Sequence, residues 1–497
     1  MRWIHPLSPE VEETAEILGG KAHGLVVLQR LGLPVPPGFV ISTGACRAFL
    51  RGGRFPVGLD AELAAAVAGL EAATGRRLGG PRRPLAVSVR SGASLSMPGM
   101  MSTVLNLGLT AEAAAGLAAE TGDRRFALDS RRRFLSSFAA VAGGAPVPDG
   151  ATRQLERAVA AVFSSWDTPR ARTYRELHAI PHDLGTAVTV QAMVFGNRDD
   201  RSGSGVAFSR NPNTGEQVPF GEVLFGAQGE EVVSGGSLTR PLHDLADRVP
   251  AVWAGLLEAL DRVEEHHRDA CHLEFTFEAG ELWVLQVRPG RFVGGAAVRV
   301  AVDLADAGAI GRRQALLRVS PQQLRHVRTP RIVAADVLTR GLGACPGVAA
   351  GRVATTADTA ARVAVDGPVI LVRPQTSALD LHGLAAAAGV VTARGGPASH
   401  AAVVARAMGR PAVVGATDLS VDVASVRAGG QTVPEGTLIA IDGTGGEVVL
   451  GRPRIVTAAA GPHLDRLLEW ADEVSGGSSG RSEAERLNAA RAVLLPG

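Results

Sequence analysis

The chain has 497 residues, of which 46% are hydrophobic and 20% charged, and its formal net charge is +2. This length allows two to four domains, and the composition is typical of a folded protein. The nearly balanced charge argues against nucleic acid or a membrane surface as the main partner. Three scattered cysteines and the lack of a signal-like or membrane-length apolar run predict a cytoplasmic protein without disulfides or a zinc site.

The first part of the chain, residues 1–295, is predicted to be an α+β domain. Its segment LAVSVRSGA (85–93) has the pattern of a buried strand that runs into a polar turn. Residues from about 111 to 185 have helical spacing and are interpreted as a helical insertion. Strand patterns then return and end in a predicted hairpin, LEFTFEAGELWVLQVRPG.

The second part of the chain begins with residues 296–340, which we interpret as a helical linker. Residues 341–455 are predicted to form a small α/β domain, because short apolar strands alternate there with Ala-rich helices and Gly turns. Residues 456–497 are expected to be a C-terminal linker or tail, and SGGSSG (475–480) has the composition of a flexible segment.

Lysine occurs once in the sequence, at Lys21, and all other cationic side chains are arginine. A lysine kept against such a bias indicates a position where a compact ammonium group is needed. Lys21 follows two glycines in ILGGKAHGL, a setting that suits phosphate binding at a helix start. The alternative is a surface lysine that was retained by chance.

A second candidate for phosphate binding is Arg90, at the end of the predicted strand in VSVRSGASLSMPGMMST. The loop that follows contains Gly92 and Gly99, whose backbone N–H groups could bind phosphate oxygens. The pattern differs from the strand–GxxxxGK[ST]–helix motif, so a Walker-type site is not predicted.

The predicted hairpin carries three polar residues that could face one cleft. Glu274 lies on the first strand, and Gln286 and Arg288 lie two apart on the second. A carboxylate at Glu274 could hold Mg²⁺ between ATP phosphates. The alternative is an ordinary hairpin with a solvated polar face.

The strongest candidate for chemistry lies in TARGGPASHAAVVARAMGRPAVVG, residues 392–415. Ser399 is predicted to cap a helix that runs from His400 to Met408 and ends at Gly409. His400 is then in the first turn, where the positive helix end disfavours imidazolium and favours a bound phosphoryl group. A neutral, nucleophilic ring at this place predicts a phosphorylation site, whereas a structural histidine is the alternative.

Taken together, these segments resemble the pyruvate phosphate dikinase family from near the start of the chain to near its end. The matching stretches are long and irregular, and include ILGGKAHGL, VSVRSGASLSMPGMMSTVLNLGL, RFALDSRRRF, VFSSWDTPRARTYR, GTAVTVQAMVFGN, SGSGVAFSRNPNTGE, LEFTFEAGELWVLQVRPG, ACPGVAAGRV, VILVRPQTS and ARGGPASHAAVVARAMGRPAVVG. Phosphoenolpyruvate synthases share the histidine segment, and rifampin phosphotransferases share the architecture more loosely.

The resemblance implies an ATP-grasp nucleotide-binding domain with a helical insertion, followed by a small α/β swivelling phosphohistidine domain. It implies that His400 is phosphorylated by ATP, with AMP and pyrophosphate as products and inorganic phosphate as the acceptor of the γ-phosphoryl group. By matching motif, the implied contacts to ATP and to its Mg²⁺ ion are made by Lys21, Arg90, Gly99, Glu274, Gln286 and Arg288.

The sequence departs from the family pattern in four places. It stops where the family's pyruvate- and phosphoenolpyruvate-binding barrel should begin, so we expect that barrel on a separate chain. The helical insertion is shortened between Val141 and Val159. His272 stands where the family usually has Asp, and Ala398 stands where many members have a regulatory Thr. Imidazole binds Mg²⁺ poorly, so the His272 position predicts weaker metal binding.

Three alternatives remain open at this point. One is a catalytically impaired regulatory or binding protein that keeps the fold. Another is a phosphoenolpyruvate-synthase-like enzyme, in which water takes the γ-phosphoryl group. The third, a kinase for a small acceptor such as an antibiotic, would need an acceptor domain, and residues 296–340 are too few to provide one.

Overall fold

The computed structural model describes residues 2–95, 97, 100–143, 145–234, 239–290, 292, 294–324, 327–333, 336–457, 461–477 and 480–495. Contacts within the chain divide it into two units. Unit 1 consists of Met1–Ser202 and Thr276–Val287, and unit 2 of Gly203–Phe275 and Arg288–Gly497. Within the described ranges, no helix is both long and apolar enough to cross a membrane.

Unit 1 is built on an antiparallel five-stranded sheet with strand order β1-β2-β7-β5-β6. Its strands are β1 (Ile4–Pro6), β2 (Gly38–Ile41), β3 (Arg77–Leu78), β4 (Pro84–Leu85), β5 (Val87–Gly92), β6 (Thr103–Leu107) and β7 (Ala187–Ala192). Its helices are α1 (Ala15–Arg30), α2 (Thr43–Gly52), α3 (Leu59–Thr74), α4 (Ala111–Thr121), α5 (Arg124–Val141), α6 (Ala151–Ser165) and α7 (Pro169–Leu177).

The core of unit 1 forms where apolar helix faces cover this sheet. Val87 and Val89 of β5 pack with Phe134 of α5 and Val162 of α6 in one buried cluster. A buried strand in LAVSVRSGA is confirmed, but it runs from Val87 to Gly92 and so includes part of the predicted polar turn. The helical pattern predicted for residues from about 111 to 185 is confirmed by α4 to α7.

Unit 2 contains the remaining elements, and the hairpin β11–β12 contributes residues to both units. The strands are β8 (Gly203–Phe208), β9 (Phe220–Phe225), β10 (Arg240–Pro241), β11 (Cys271–Glu278), β12 (Glu281–Pro289), β13 (Pro330–Val333), β14 (Val337–Arg340), β15 (Leu342–Cys345), β16 (Val348–Ala354), β17 (Val369–Arg373), β18 (Gly389–Thr392), β19 (Ala412–Val414), β20 (Ser420–Val421), β21 (Ser425–Ala428), β22 (Gln431–Pro434), β23 (Leu438–Asp442), β24 (Glu447–Leu450) and β25 (Arg454–Thr457). The helices are α8 (Gly229–Ser234), α9 (Asp244–Arg248), α10 (Pro250–His267), α11 (Gly294–Asp306), α12 (Arg312–Arg318), α13 (Pro321–Leu324), α14 (Ala357–Val363), α15 (Leu381–Ala386), α16 (His400–Met408), α17 (Pro462–Ser475) and α18 (Glu483–Leu494).

The small α/β domain is an eight-stranded sheet with order β14-β24-β23-β16-β17-β18-β19-β15. Strands β16, β17, β18 and β19 are successive parallel neighbours, which the intervening helices α14, α15 and α16 make possible. One buried cluster joins these helices to the sheet and includes Ala360, Leu384 and Ala401. The strands β13 and β25, through which the chain enters and leaves this domain, pair antiparallel with each other.

The segments interpreted as a linker and a tail share a helical cluster. Val302 of α11 and Leu316 of α12 are buried together with Leu467 of α17 and Leu487 of α18. Much of the segment 456–497 is thus helical and packed. Of the SGGSSG stretch, residues 478 and 479 lie outside the described residues.

Candidate functional site

Lys21 lies next to a kink that only glycine allows. Gly19 has φ 74° and ψ 153° inside α1, so the helix effectively restarts at Gly20. A Cβ added at Gly19 would lie 1.7 Å from the carbonyl oxygen of Gly92, and the N–H of Gly20 donates to the oxygen of Ala93 at 3.0 Å. The GGK segment therefore packs directly on the loop that follows β5, which places Lys21 beside that loop.

Arg90 lies on β5, the strand that leads into this same loop. Its Nη2 donates to Oε1 of Gln191 at 2.5 Å, and the Nε2 of that buried glutamine donates to the oxygen of Pro36 at 2.8 Å. A buried amide with its own fixed partner thus orients the guanidinium group. The predicted Gly99 lies outside the described residues.

The predicted hairpin is confirmed as β11 and β12, joined at Ala279 (φ 52°) and Gly280 (φ 86°). In unit 2, Nη2 of Arg288 lies 2.8 Å from Oε1 of Glu274, so the hairpin brings these two predicted residues together. Both side chains remain partly exposed. Gln286, which belongs to unit 1, is buried.

His272 is held as a neutral aromatic ring. It stacks on Phe208, with ring centroids 4.5 Å apart and planes inclined by 9°. Its Nε2 is buried and has no hydrogen-bond partner within the described part of the chain. Burial lowers the pKa of His272 to about 4, against the opposite effect of the nearby Glu274 carboxylate. Among the residues that the structure describes, no three His, Cys, Asp or Glu side chains form a metal-binding group.

The helix α16 has the bounds that the sequence predicts, His400–Met408, with Ser399 at the N-cap position and Gly409 (φ 62°) after its end. One detail differs, because the Ser399 side chain makes no capping hydrogen bond and its buried hydroxyl has no partner among the described residues. His400 is the first helical residue and is partly exposed, so the ring lies where the first-turn N–H groups converge.

A threonine contacts the ring of His400. Strands β17 and β18 are parallel neighbours, with Arg373 opposite Thr392 at their carboxyl ends. The loop after β17 carries Thr376, and the loop after β18 leads into α16, so both loops meet at one edge of the sheet. The result is a distance of 3.1 Å between Oγ1 of Thr376 and Nδ1 of His400.

Two known domain families match parts of the chain. Residues 51–239 match "Pyruvate phosphate dikinase, AMP/ATP-binding domain", and residues 365–446 match "PEP-utilising enzyme, mobile domain". The chain is 42% identical over 514 residues to pyruvate, phosphate dikinase 2 of Zea mays, and 39% identical over 561 residues to pyruvate, phosphate dikinase of Rhizobium meliloti (strain 1021). The chain belongs to the pyruvate phosphate dikinase family. The predicted resemblance is therefore confirmed.

The matches to the two relatives include nearly all of this chain but only part of each relative. They include 92% and 99% of this chain but 58% and 62% of the two relatives, so the chain spans about six tenths of their length. The ATP-binding match includes Arg90, and the mobile-domain match includes Thr376 and His400. Lys21, Glu274, Gln286 and Arg288 lie outside both matched ranges and remain predicted contacts.

Glu222, which the sequence analysis missed, holds the loop in front of His400. Its buried Oε1 accepts a hydrogen bond from the N–H of Ala398 at 2.8 Å, and a Cβ added at Gly396 would lie 1.7 Å from its Oε2. Burial raises the pKa of this carboxyl group, while Thr239, the Ala398 N–H and Arg406 act in the opposite direction. A charged residue inside the apolar strand FGEVLF was the available signal.

Arg406 holds the same loop from the other side. From within α16, its Nη2 donates to the oxygen of Pro397 at 2.5 Å and its Nη1 to that of Ala344 at 2.9 Å. Its guanidinium lies 5.8 Å from the ring centroid of Phe208, on which His272 also stacks. Burial lowers the pKa of Arg406 to about 10, so the guanidinium group stays charged near neutral pH. Both of its hydrogen bonds, to Pro397 and to Ala344, are then kept.

The cysteines take no part in this arrangement. Cys46, Cys271 and Cys345 are all buried and unbridged. Burial raises the pKa of Cys46 to about 11 and those of Cys271 and Cys345 to about 12. They behave as small apolar core residues rather than as nucleophiles.

Proposed function

We propose that this protein transfers the β-phosphoryl group of ATP to His400. A ring nitrogen of His400 attacks the β-phosphorus, and the bond to the α–β bridging oxygen breaks, so that AMP leaves. Inorganic phosphate takes the γ-phosphoryl group, which gives pyrophosphate and phosphohistidine. The observation that supports this proposal best is the position of a partly exposed imidazole at the first residue of α16, inside the mobile-domain match.

The nucleotide would be bound in an ATP-grasp fold by the predicted contacts Lys21, Arg90, Gly99, Gln286 and Arg288. Lys21 and Arg90 suit this role because one glycine-dependent loop contact brings Lys21 beside the turn that follows the strand of Arg90. Each provides positive charge for phosphate oxygens without a Walker motif.

Glu274 is the residue that would hold Mg²⁺. Its carboxylate is partly exposed and lies on the hairpin beside the Arg288 guanidinium, and oxygen atoms are the ligands that Mg²⁺ prefers. Mg²⁺ commonly binds one or two carboxylates and takes its other ligands from substrate phosphates and water, so a single carboxylate fits the ion. The bound ion would neutralise charge on the phosphates as the bond to AMP breaks.

Pyruvate is the proposed final acceptor of the phosphoryl group. It would bind to a barrel supplied by a separate chain, to which phosphohistidine presents its phosphoryl group. Support for this acceptor comes from the names of the relatives, which are pyruvate, phosphate dikinases. Adding pyruvate to the labelled protein alone should leave the label in place, whereas adding a pyruvate-binding barrel as well should discharge it as phosphoenolpyruvate.

The direct test is labelling of the purified protein with ATP that carries ³²P at the β-phosphate, in the presence of Mg²⁺ and phosphate. We expect acid-labile label on the protein and release of one AMP for each label. His400→Asn should abolish labelling. His382→Asn is the matched control, because His382 is an exposed histidine of the same domain whose ring is bound to Asp358. Labelling that survives in His400→Asn would refute the assignment.

A second candidate is a nucleotide-binding protein with little or no catalytic activity. It is favoured by His272, whose buried, neutral ring offers Mg²⁺ no oxygen ligand beside Glu274. Calorimetric titration with Mg-ATP separates the two functions. Binding without label or AMP supports this second candidate, and labelling that needs no phosphate would indicate water as the γ-phosphoryl acceptor.

A further inference from the structure

An imidazole and a carboxylate lie side by side on one face of strand β11. Along this strand Leu273 and Phe275 are buried in the core. The residues that alternate with them, His272 and Glu274, are only partly buried and so share the other face. Residues two apart on a strand are separated by roughly 7 Å, so both side chains can reach one ion between them.

The ring of His272 is held in a fixed orientation. It stacks on Phe208, with ring centroids 4.5 Å apart and planes inclined by 9°. The stack covers a face of the imidazole, whereas the lone pair of a ring nitrogen lies in the plane of the ring. His272 can therefore bind a metal ion through nitrogen and keep its packing on Phe208.

Nε2 of His272 is a buried polar atom that the fold leaves unsatisfied. It has no hydrogen-bond partner in the part of the chain that the structure describes. Buried polar atoms in native proteins are nearly always paired, so an exception indicates a group that binds an ion or a water molecule. Mg²⁺ is a poor occupant, because this hard cation prefers oxygen ligands. Transition-metal ions accept imidazole nitrogen readily.

We propose that His272 and Glu274 bind a divalent first-row transition-metal ion, such as Mn²⁺, in preference to Mg²⁺. This inference rests on the proposed function, in which Glu274 holds the ion that neutralises charge on the ATP phosphates. The protein supplies one nitrogen and one carboxylate ligand, and phosphate oxygens and water supply the others. From the same pair of side chains, Mg²⁺ would gain the carboxylate alone.

Mn²⁺ is the strictest probe for this site. Of the divalent ions from Mn²⁺ to Zn²⁺ it binds nitrogen and oxygen ligands most weakly, so a preference for Mn²⁺ over Mg²⁺ implies at least as strong a preference for the others. Its unpaired electrons also report which nuclei are bound to it. The identity of the ligand can thus be read without any measurement of catalysis.

The test is pulsed EPR of the whole chain with Mn²⁺ and α,β-methylene-ATP, an analogue whose α–β bridge cannot be cleaved. The signal is the modulation from a nitrogen nucleus bound to Mn²⁺, compared between unlabelled protein and protein containing ¹⁵N-histidine, which separates histidine from adenine nitrogen. Competition titrations give the affinities for Mn²⁺ and Mg²⁺. The variants are His272→Leu and His272→Asp. His243→Asn is the matched control, because His243 is an exposed histidine of unit 2 that also lies beside a carboxylate, with Nε2 3.6 Å from Oδ1 of Asp244.

We expect wild-type protein to show one bound nitrogen whose modulation moves to the ¹⁵N frequency when histidine is labelled. Both His272 variants should lose this signal, and His272→Leu should bind Mn²⁺ at least about tenfold more weakly. His272→Asp should bind Mg²⁺ more tightly than the wild type, so its ratio of Mn²⁺ to Mg²⁺ affinity should fall. His243→Asn should match the wild type in both measurements.

The outcomes separate this inference from the proposed function. Failure to bind Mn²⁺ with the analogue, no histidine nitrogen on Mn²⁺ in the wild type, or a nitrogen signal that persists in both His272 variants would each overturn it and leave His272 as a packing residue. The isotope comparison uses the wild type alone, so it decides the matter even if a variant fails to fold. If the nitrogen signal is present but neither metal ion supports β-³²P labelling, the proposed function fails and the metal assignment stands. Labelling with Mg²⁺ but no histidine nitrogen on Mn²⁺ gives the reverse result.

Discussion

Replacing Gly19 by alanine is expected to damage unit 1 far more than a usual Gly→Ala change in a helix. The backbone there has φ 74°, which costs a residue with a Cβ roughly 1–3 kcal/mol. The new Cβ would lie 1.7 Å from the Gly92 oxygen, whereas carbon–oxygen contacts are normally about 3.3 Å. The two segments must therefore separate by roughly 1.6 Å. This movement breaks the hydrogen bond from Gly20 to Ala93, which contributes about 1 kcal/mol.

The net loss is expected to be about 3 kcal/mol, since the gain in helix propensity from alanine is at most about 1 kcal/mol. For a unit of this size the melting temperature should fall by about 6–12 °C. Urea and thermal unfolding measure the change. Gly20→Ala is the control, because its Cβ would meet nothing closer than the Ser94 oxygen at 3.3 Å, and its stability should stay within about 1 kcal/mol of wild type.

The same variant tests whether this loop binds ATP. Gly19→Ala leaves Lys21 in the sequence but moves it away from the loop that follows β5, so Mg-ATP affinity should fall at temperatures where the variant is still folded. Calorimetry on the wild type, Gly19→Ala and Gly20→Ala measures this change. Wild-type stability in Gly19→Ala would refute the steric reasoning, and lost stability with unchanged ATP affinity would refute the phosphate-binding role of the GGK segment.

Three further predictions concern buried groups. Because the pKa of Glu222 is raised, the folded protein keeps a proton there at pH values where the unfolded chain has lost it. The free energy of unfolding should therefore fall as pH rises from the usual range of Glu through that raised pKa. Urea titrations of Glu222→Gln should lack this pH dependence, and the same pH dependence in the variant and the wild type would contradict the prediction. His272→Asp should raise Mg²⁺ affinity in the presence of ATP about tenfold by calorimetry, because it adds a carboxylate ligand beside Glu274, whereas His272→Leu, which loses the same ring stack and adds no oxygen, should not. The three buried cysteines should resist alkylation at pH 8 until the protein unfolds, since a pKa of about 11 leaves roughly one thiolate in a thousand; rapid modification of the folded protein would show that they are accessible.

Local sequence signals predicted the elements that carry the site. The helix α16 begins at His400 and ends before Gly409 as predicted, because a glycine at positive φ ends it and the apolar spacing between these residues is helical. The hairpin was equally readable, since Ala279 and Gly280 separate two alternating apolar runs. These features depend on residues close in sequence, and a single sequence contains the information that determines them.

The contacts made by the side chains could not be predicted in the same way. Thr376 and His400 are 24 residues apart, and Glu222 and Ala398 are 176 apart. Each pair depends on which strands become neighbours in the folded sheets, and periodicity carries no such information. Ser399 takes the predicted N-cap position, but its side chain does not make the capping hydrogen bond that this position allows.

The buried surroundings of the histidine loop limit what position 398 can carry. The side chain of Ala398 lies in an apolar cluster with Val206 and Phe208, while its N–H donates to the buried carboxyl group of Glu222. A phosphoryl group at this position would bring about two negative charges next to that carboxyl group, and burying unpaired charge costs several kcal/mol. A phosphorylated side chain and this bound loop therefore exclude each other. Alanine has no hydroxyl to phosphorylate, so such a modification cannot release the loop that precedes His400 in this protein.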